Sequence, residues 1–279
     1  MKTIRFFSVI ITVGLWLGLA TSCSDDNEKD AIIGNQAGKL FSQIRETSMG
    51  NAYSNYITFE YNGKKLMDVK SQDARGNINE RVVYTYPDNG KVKIYSMNSG
   101  ISEEYTLNKK KYVEFLSEDN YFVEYLYDSS GYLIEKNEEK IGETETTGRK
   151  FTFTYRNGNR TKGTCTHYIK RAGKTYSETP ITYTYSYLNR ENKSKIDIYD
   201  EEVSNHLFYY SASGLYGKAS KNLVDKIVIS QGSEQALLEF RYVFDSDIYV
   251  VNILEFYTNY AGEYLVTQYD ISYDSNPTH

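Results

Sequence analysis

The stretch Tyr121–Lys136 (YFVEYLYDSSGYLIEK) constrains this chain most. Successive side chains of an extended strand point to opposite faces. Tyr121, Val123, Tyr125 and Tyr127 therefore share one face, and Glu124 and Asp128 take the other. Asp128-Ser129-Ser130-Gly131 reads as a turn, because an Asp carboxylate at the first position accepts from the following backbone N–H groups and Gly tolerates positive φ. Tyr132–Lys136 returns as the second strand, with Tyr132 and Ile134 on one face. The result is a β-hairpin in which each part has a local cause.

Looser copies fill the chain. Tyr56–Tyr61, the turn Asn62-Gly63 and Lys65–Lys70 form one, Asn-Gly being the strongest short hairpin signal. Arg81–Tyr86, Pro87-Asp88-Asn89-Gly90 and Lys91–Met97 form the next. Glu104–Leu107 and Tyr112–Leu116 flank the turn Asn108-Lys109-Lys110-Lys111. Phe151–Arg156 and Thr161–Lys170 flank Asn157-Gly158-Asn159. Ile181–Tyr187 and Lys195–Tyr199 flank a polar turn at Leu188–Lys193. Asn222–Ser230, Leu237–Phe244, Ile248–Tyr257 and Glu263–Tyr273 complete the series, and Lys39–Thr47 is read as a strand that opens it. Two stretches depart from the pattern: Asn137–Lys150 reads as a long charged loop, and Ser211–Lys221 as a wide Gly/Ser-rich connection tucked over the end of the sheet. The chain has only 3 Pro, as expected when most backbone N–H groups serve ladders. The fold class is all-β: an antiparallel β-hairpin meander forming a strongly curved sheet or open barrel.

The N-terminus is of another kind. Lys2 and Arg5 precede the apolar run Phe6–Ala20, which is shorter than the about 20 residues of a membrane span. Small residues then lead to Cys23. Residues 1–22 read as a signal peptide. Ala20-Thr21-Ser22-Cys23 resembles the lipobox of bacterial lipoproteins, with Ala where Leu is commoner, which implies cleavage before Cys23 and its acylation. Residues 23–38 form a lipidated Cys and a flexible tether whose first part, Ser24–Asp30, holds no apolar residue. Its acids resemble the signal that sends Bacteroidetes lipoproteins to the outer face of the outer membrane. The expected localisation is therefore an outer-membrane lipoprotein facing the cell exterior, held by its acyl chains. Residues 39–279 are expected to form a single all-β domain.

Composition narrows the function. Removing residues 1–22 takes away Lys2 and Arg5, so the mature charge is 30 − 37 = −7. That disfavours nucleic acid as a partner, since phosphate binding needs a basic surface. The one Trp leaves with the signal peptide, whereas all 29 Tyr remain. Cys165 is the only cysteine left for a disulfide, so none forms within the domain.

Two family resemblances have residues behind them. Tyr125–Leu133 resembles one tyrosine-aspartate repeat of the large shell-forming toxin proteins, with partial copies at Phe59–Leu66 and Tyr84–Val92, and implies hairpin geometry only. Hairpins of F/Y-x-Y followed by N/D/G turns, with Gly214-Leu215-Tyr216-Gly217-Lys218-Ala219-Ser220-Lys221-Asn222-Leu223 before a strand, resemble over residues 39–275 an uncharacterised Bacteroidetes lipoprotein domain described as porin-like. The resemblance implies a curved sheet or open barrel and carries no catalytic residues. A membrane-spanning barrel needs strands of about 9–11 residues with an outward apolar band. The strands read here are shorter, and their faces carry Lys93, Glu104, Glu124, Glu239 and Arg241. A soluble barrel on a tether is expected.

The search for chemistry finds no specific constellation, and the chain is read as a non-enzyme with no cofactor and no metal. Cys165 and His167 share a strand face, Asp245 and Asp247, and Glu201 and Glu202, sit in turn sequences, and Asp88-Asn89-Gly90 lacks the spacing of a calcium loop. What remains is aromatic surface. Tyr84, Tyr86, Tyr125, Tyr127, Tyr183 and Tyr185, with Leu215 and Tyr216 in the wide connection, are the candidate ligand-binding residues. The function is expected to be that of a non-catalytic interaction or structural module with an envelope protein partner. The alternatives are glycan or nutrient binding on the Tyr-rich face, or an open barrel carrying an apolar ligand.

Overall fold

The computed structural model describes residues 38–49, 53–88, 90–197, 211–259 and 262–274, so Cys23, the tether, Glu201 and Glu202 lie outside the described residues. The chain folds as an antiparallel meander. In order, the strands are β1 (Phe41–Ser48), β2 (Tyr53–Asn62), β3 (Lys65–Asp73), β4 (Ile78–Thr85), β5 (Lys91–Ser96), β6 (Ser102–Leu107), β7 (Val113–Glu118), β8 (Tyr121–Tyr127) and β9 (Leu133–Ile141). They are followed by β10 (Glu145–Arg156), β11 (Asn159–Arg171), β12 (Lys174–Ser177), β13 (Ile181–Glu191), β14 (Asn222–Gln231), β15 (Glu234–Phe244), β16 (Val250–Asn259) and β17 (Gly262–Tyr273). Consecutive strands pair, and β1 pairs with both β2 and β17, for example through Ile44↔Ile57 and Ile44↔Ile271. The sheet therefore closes on itself, so the strongly curved sheet expected from sequence is carried to a full barrel. β11 pairs with β13 along its first half and with the short β12 along its second. Of 17 strands, all but β12 form the closed ring, which leaves sixteen.

Turn chemistry sets the hairpins. Asn157-Gly158 joins β10 to β11 with φ of 54° and 81°, a two-residue turn whose backbone matches the strand twist. The Asp128 turn also forms: Asp128 Oδ1 accepts from Tyr132 N at 2.9 Å, Gly131 N donates to Asp128 O at 3.0 Å, and Gly131 has φ 93°. The same device recurs at Asn108, with Lys111 at φ 64°, and at Asp245, with Ile248 at φ 70°. The Asn62-Gly63 turn is displaced by one residue, since Asn62 pairs with Lys65 and the loop is Gly63-Lys64.

Two strand readings are overturned. Asn137–Lys150 is no loop, because only Gly142–Thr144 separates β9 from β10. Its charges satisfy one another across the strands: Lys150 pairs with Glu135 at 2.9 Å, and Arg149 with Glu138 at 2.5 Å. Lys195–Asp197 is no strand, since Ile196 is buried in the connection between β13 and β14; Ile198 and Tyr199 lie outside the described residues.

One face of each strand of the ring points into the barrel. Phe41, Ile44, Leu66, Val69, Val92, Val113, Leu116, Phe151, Leu223, Ile227 and Ile253 are buried to 1% or less. The outer face is mixed: exposed apolar side chains such as Tyr95, Leu126, Val243 and Val266 stand among interstrand ion pairs, including Arg45–Asp270 (2.6 Å), Lys91–Glu104 (2.5 Å), Lys226–Glu239 (2.5 Å) and Arg241–Glu263 (2.6 Å). Several strands reach 9–13 residues, so length does not set this barrel apart from a membrane-spanning one.

The two ends differ. At one end the chain enters β1 and leaves β17, and the described parts of the connection between β13 and β14, residues 192–197 and 211–221, fold over the opening. Ile196, Ala212 and Leu215 of this plug are buried. Its backbone is tied to the rim: Val113 N donates to Leu215 O (2.9 Å), Lys218 N to Gly131 O (2.9 Å) and Lys221 N to Gly158 O (2.8 Å). At the other end the described connections are short turns.

Candidate functional site: the plugged end and the open mouth

The eight residues singled out from sequence all lie inside the barrel or in its plug. Tyr84, Tyr125, Tyr183 and Tyr185 are 3–7% exposed and Leu215 is 0%, while Tyr86, Tyr127 and Tyr216 pack against this core partly buried. The expected Tyr-lined platform is thus a filled interior. Closure turns these faces toward one another, and in this barrel their own side chains fill the middle. The hydroxyls are used structurally. Tyr86 donates to Leu66 O (3.0 Å), Tyr127 to Val113 O (2.8 Å), Tyr187 to Arg160 O (2.7 Å), Tyr242 to Val224 O (2.6 Å) and Tyr273 to Val250 O (2.7 Å). Each joins the C-terminal part of one strand to the start of its preceding neighbour in the ring, all at the plugged end. Burial pushes the phenols of Tyr86, Tyr187 and Tyr273 upward, so these latches stay protonated.

Of the eight, Tyr216 also lines a cavity of about 290 Å³ beside the plug, with Tyr112, Tyr132, Lys195, Lys218 and Asp197. Ser211 also lines it. The other chemistry weighed from sequence disperses. Cys165 is fully buried, while His167 on the same inward face reaches the open end. Asp245 Oδ1 caps its turn by accepting from Asp247 N and Tyr249 N, and Lys39 bridges Asp245 (2.9 Å) and Asp247 (2.8 Å). Asp88 accepts from Gly90 N at 2.6 Å. Among the described residues no three metal-ligating side chains converge.

Sequence reasoning missed the open mouth. Its inward lining is ionic where the plugged end is aromatic. Lys136 and Glu138, both with side chains about 5% exposed or less, form a buried ion pair two residues apart on one face of β9, and Arg149 of β10 reaches the same carboxylate. Glu103 accepts from Tyr105 Oη at 2.8 Å, and Glu255 from Tyr269 Oη at 3.1 Å. Burial pushes the carboxyls of Glu46, Glu103 and Glu255 up. The only sequence signal was the two-residue alternation of these charges, hidden inside the stretch read as a loop. On the β8–β12 side the mouth opens into a cavity of about 510 Å³ between Tyr121, Glu138, Arg149, His167 and Tyr176. Gly148 sits in its wall because the Tyr168 ring crosses the strand there; a Cβ would meet that ring at 2.4 Å.

No family model matches this chain, and no curated protein matches it. Solved structures do. A porin-like protein from Bacteroides uniformis ATCC 8492 superimposes with a TM-score of 0.59 at 16% identity, over 84% of this chain and 98% of that one. A porin-like protein from Bacteroides vulgatus ATCC 8482 gives 0.53 at 15% identity, over 85% and 100%. With so few residues shared, the likeness is one of backbone: this chain has the closed antiparallel barrel fold of the porin-like Bacteroides proteins.

Proposed function

We propose that this chain is a non-catalytic binding barrel, held on the outer face of the outer membrane by an acylated Cys23, that presents its open mouth to a ligand or envelope partner. The observation that carries the proposal is the difference between the ends. The chain enters the barrel at Gly38–Phe41 on the plugged end, and the ionic mouth lies at the opposite end of the strands; an anchor at Cys23 would join the barrel through the plugged end. The ion pairs on the outer face support attachment through the anchor in place of barrel insertion. A multi-chain acyl anchor is strong enough for stable attachment. The apolar-carrier alternative loses its support, since the middle of the barrel is packed.

The test is metabolic labelling with palmitate, followed by protease treatment of intact cells. Label on the wild type, none on Cys23→Ser, and digestion of the barrel from outside are expected. Label that survives Cys23→Ser, or a barrel that is protected in intact cells and cut only after lysis, would overturn the anchor or its orientation.

A further inference from the structure

We propose that two copies of this chain pair through β12, strand edge to strand edge, with a two-fold axis at Tyr176. β12 leaves a free edge. It pairs with the second half of β11, and among the described residues no strand pairs with its other side. The turn Ala172-Gly173, with φ of 49° and 75°, makes Arg171 and Lys174 the closing hydrogen-bonded pair of the hairpin. Pairs along an antiparallel ladder alternate between bonded and non-bonded, so Lys174, Tyr176 and Glu178 turn their backbone groups toward β11. Glu178 N, which donates to His167 O at 2.9 Å, fixes that phase. The N–H and C=O groups of Thr175 and Ser177 therefore point the other way, and β14 ends short of them. Ser230 of β14 is level with Thr182 and so with Thr164, and β14 turns back at Gln231, whereas Thr175 and Ser177 are level with Lys170 and Tyr168, farther along β11.

The sequence of this edge is its own complement. Lys174-Thr175-Tyr176-Ser177-Glu178, laid antiparallel on a second copy with Tyr176 opposite Tyr176, sets Lys174 opposite Glu178 at both ends and Thr175 opposite Ser177 between them. The outward backbone groups of Thr175 and Ser177 then meet as hydrogen-bonded pairs, and Tyr176 falls in a non-bonded pair, where side chains come closest. Lys174, Tyr176 and Glu178 share one face, so two ion pairs flank a tyrosine pair there, while the Thr and Ser hydroxyls meet on the other; each is a favourable cross-strand pairing. A Lys on an edge strand ordinarily guards against such contact, but Glu178 stands where the second copy's Lys174 arrives. Tyr176 is 59% exposed, and Lys174 and Glu178 are exposed with no ion pair among the described residues, so a second copy can reach all three. In this register the Ala172-Gly173 turn of one copy approaches the Gly232-Ser233 turn of the other, and a Cβ at either Gly would meet nothing within 4 Å. One patch serves both copies, so the contact closes as a dimer and does not propagate. A strand pair of this length buries little surface and holds weakly in solution, which calls for a covalent readout.

Disulfide cross-linking of the full chain in detergent tests this. Tyr176→Cys places two thiols across the axis at the about 4.5 Å Cα separation of a non-bonded pair, within the about 4.4–6.8 Å that a disulfide spans. Thr175→Cys stands two residues out of register with its copy, about 7–8 Å away, and serves as the control. The wild type reports any linkage through Cys23, since Cys165 is buried. Under mild oxidation, Tyr176→Cys is expected to form a covalent dimer at least about tenfold faster than Thr175→Cys or the wild type. Adding Lys174→Glu sets like charges at both ends of the pair and should slow linkage about tenfold, and adding Glu178→Lys to that variant restores the complement and the rate. All these positions are exposed on a strand edge, and an unchanged melting temperature checks that the fold is kept. No dimer above the wild-type level, equal linkage from Thr175→Cys, or a charge-exchanged variant as slow as the single one would overturn the pairing. Palmitate labelling reads none of these contacts, so the proposed function and the dimer fail separately.

Discussion

At the scale of single residues, two devices repeat around the plugged end. One is the Asp/Asn-x-x-αL-Tyr turn, in which a side-chain oxygen collects the N–H groups that the turn strands. The fourth position needs positive φ. Gly131 supplies it freely, but Lys111 and Ile248 are forced into it, and a β-branched residue there is strained. The left-handed region costs an L-residue about 1–2 kcal/mol, and the entropic cost of Gly is about 0.5–1 kcal/mol. Ile248→Gly, at a half-exposed site, is therefore expected to stabilise the barrel by about 0.5–1 kcal/mol in urea unfolding; a lower midpoint would refute the strain argument. The other device is the tyrosine latch. It explains why a chain with 29 Tyr builds no aromatic platform: the inward ring fills the core while its hydroxyl satisfies a backbone carbonyl at the strand end.

At the scale of elements, β9 and β10 show how far composition misleads. Asn137–Lys150 looks like a solvated loop because it is charged and contains two glycines. Paired, those charges alternate: Glu135, Glu139 and Lys150 face out, while Lys136, Glu138 and Arg149 face in. Inward acids at this end have a pH signature. Glu46, Glu103 and Glu255 are raised by burial, so the folded barrel holds more protons than the unfolded chain just above pH 4.5. Their contribution is most favourable below the unfolded value and is lost as pH rises through the folded one. Asp73, Asp245 and Asp270, lowered in the fold, act oppositely and only below about 3.8. Stability is thus expected to fall from pH 5 to pH 7. Glu255→Gln should raise the pH 7 melting temperature and flatten that slope, and a steeper slope in this variant would contradict the assignment.

At the scale of the whole molecule, closure and plugging decide what the barrel is. Leu215 carries the plug into the core at 0% exposure. Leu215→Ala removes buried methyl groups and leaves a cavity, a loss of about 2–5 kcal/mol. Thermal unfolding should register it, with hydrogen exchange rising first at Val113 N, which the Leu215 carbonyl holds. A shift under about 0.5 kcal/mol would mean that the plug is not integral to the fold.

The strands of most hairpins, their turns, and the Tyr-bearing faces were legible in the sequence, because period-two alternation and Asp/Asn/Gly turn chemistry act over four to ten residues. Tertiary structure alone decided the rest. Closure depends on Arg45 meeting Asp270 and Ile44 meeting Ile271, partners at opposite ends of the chain. Which connection becomes a plug depends on the opening it covers. Whether an alternating charge faces solvent or the lumen depends on the curvature of a sheet that does not exist until its first and last strands pair.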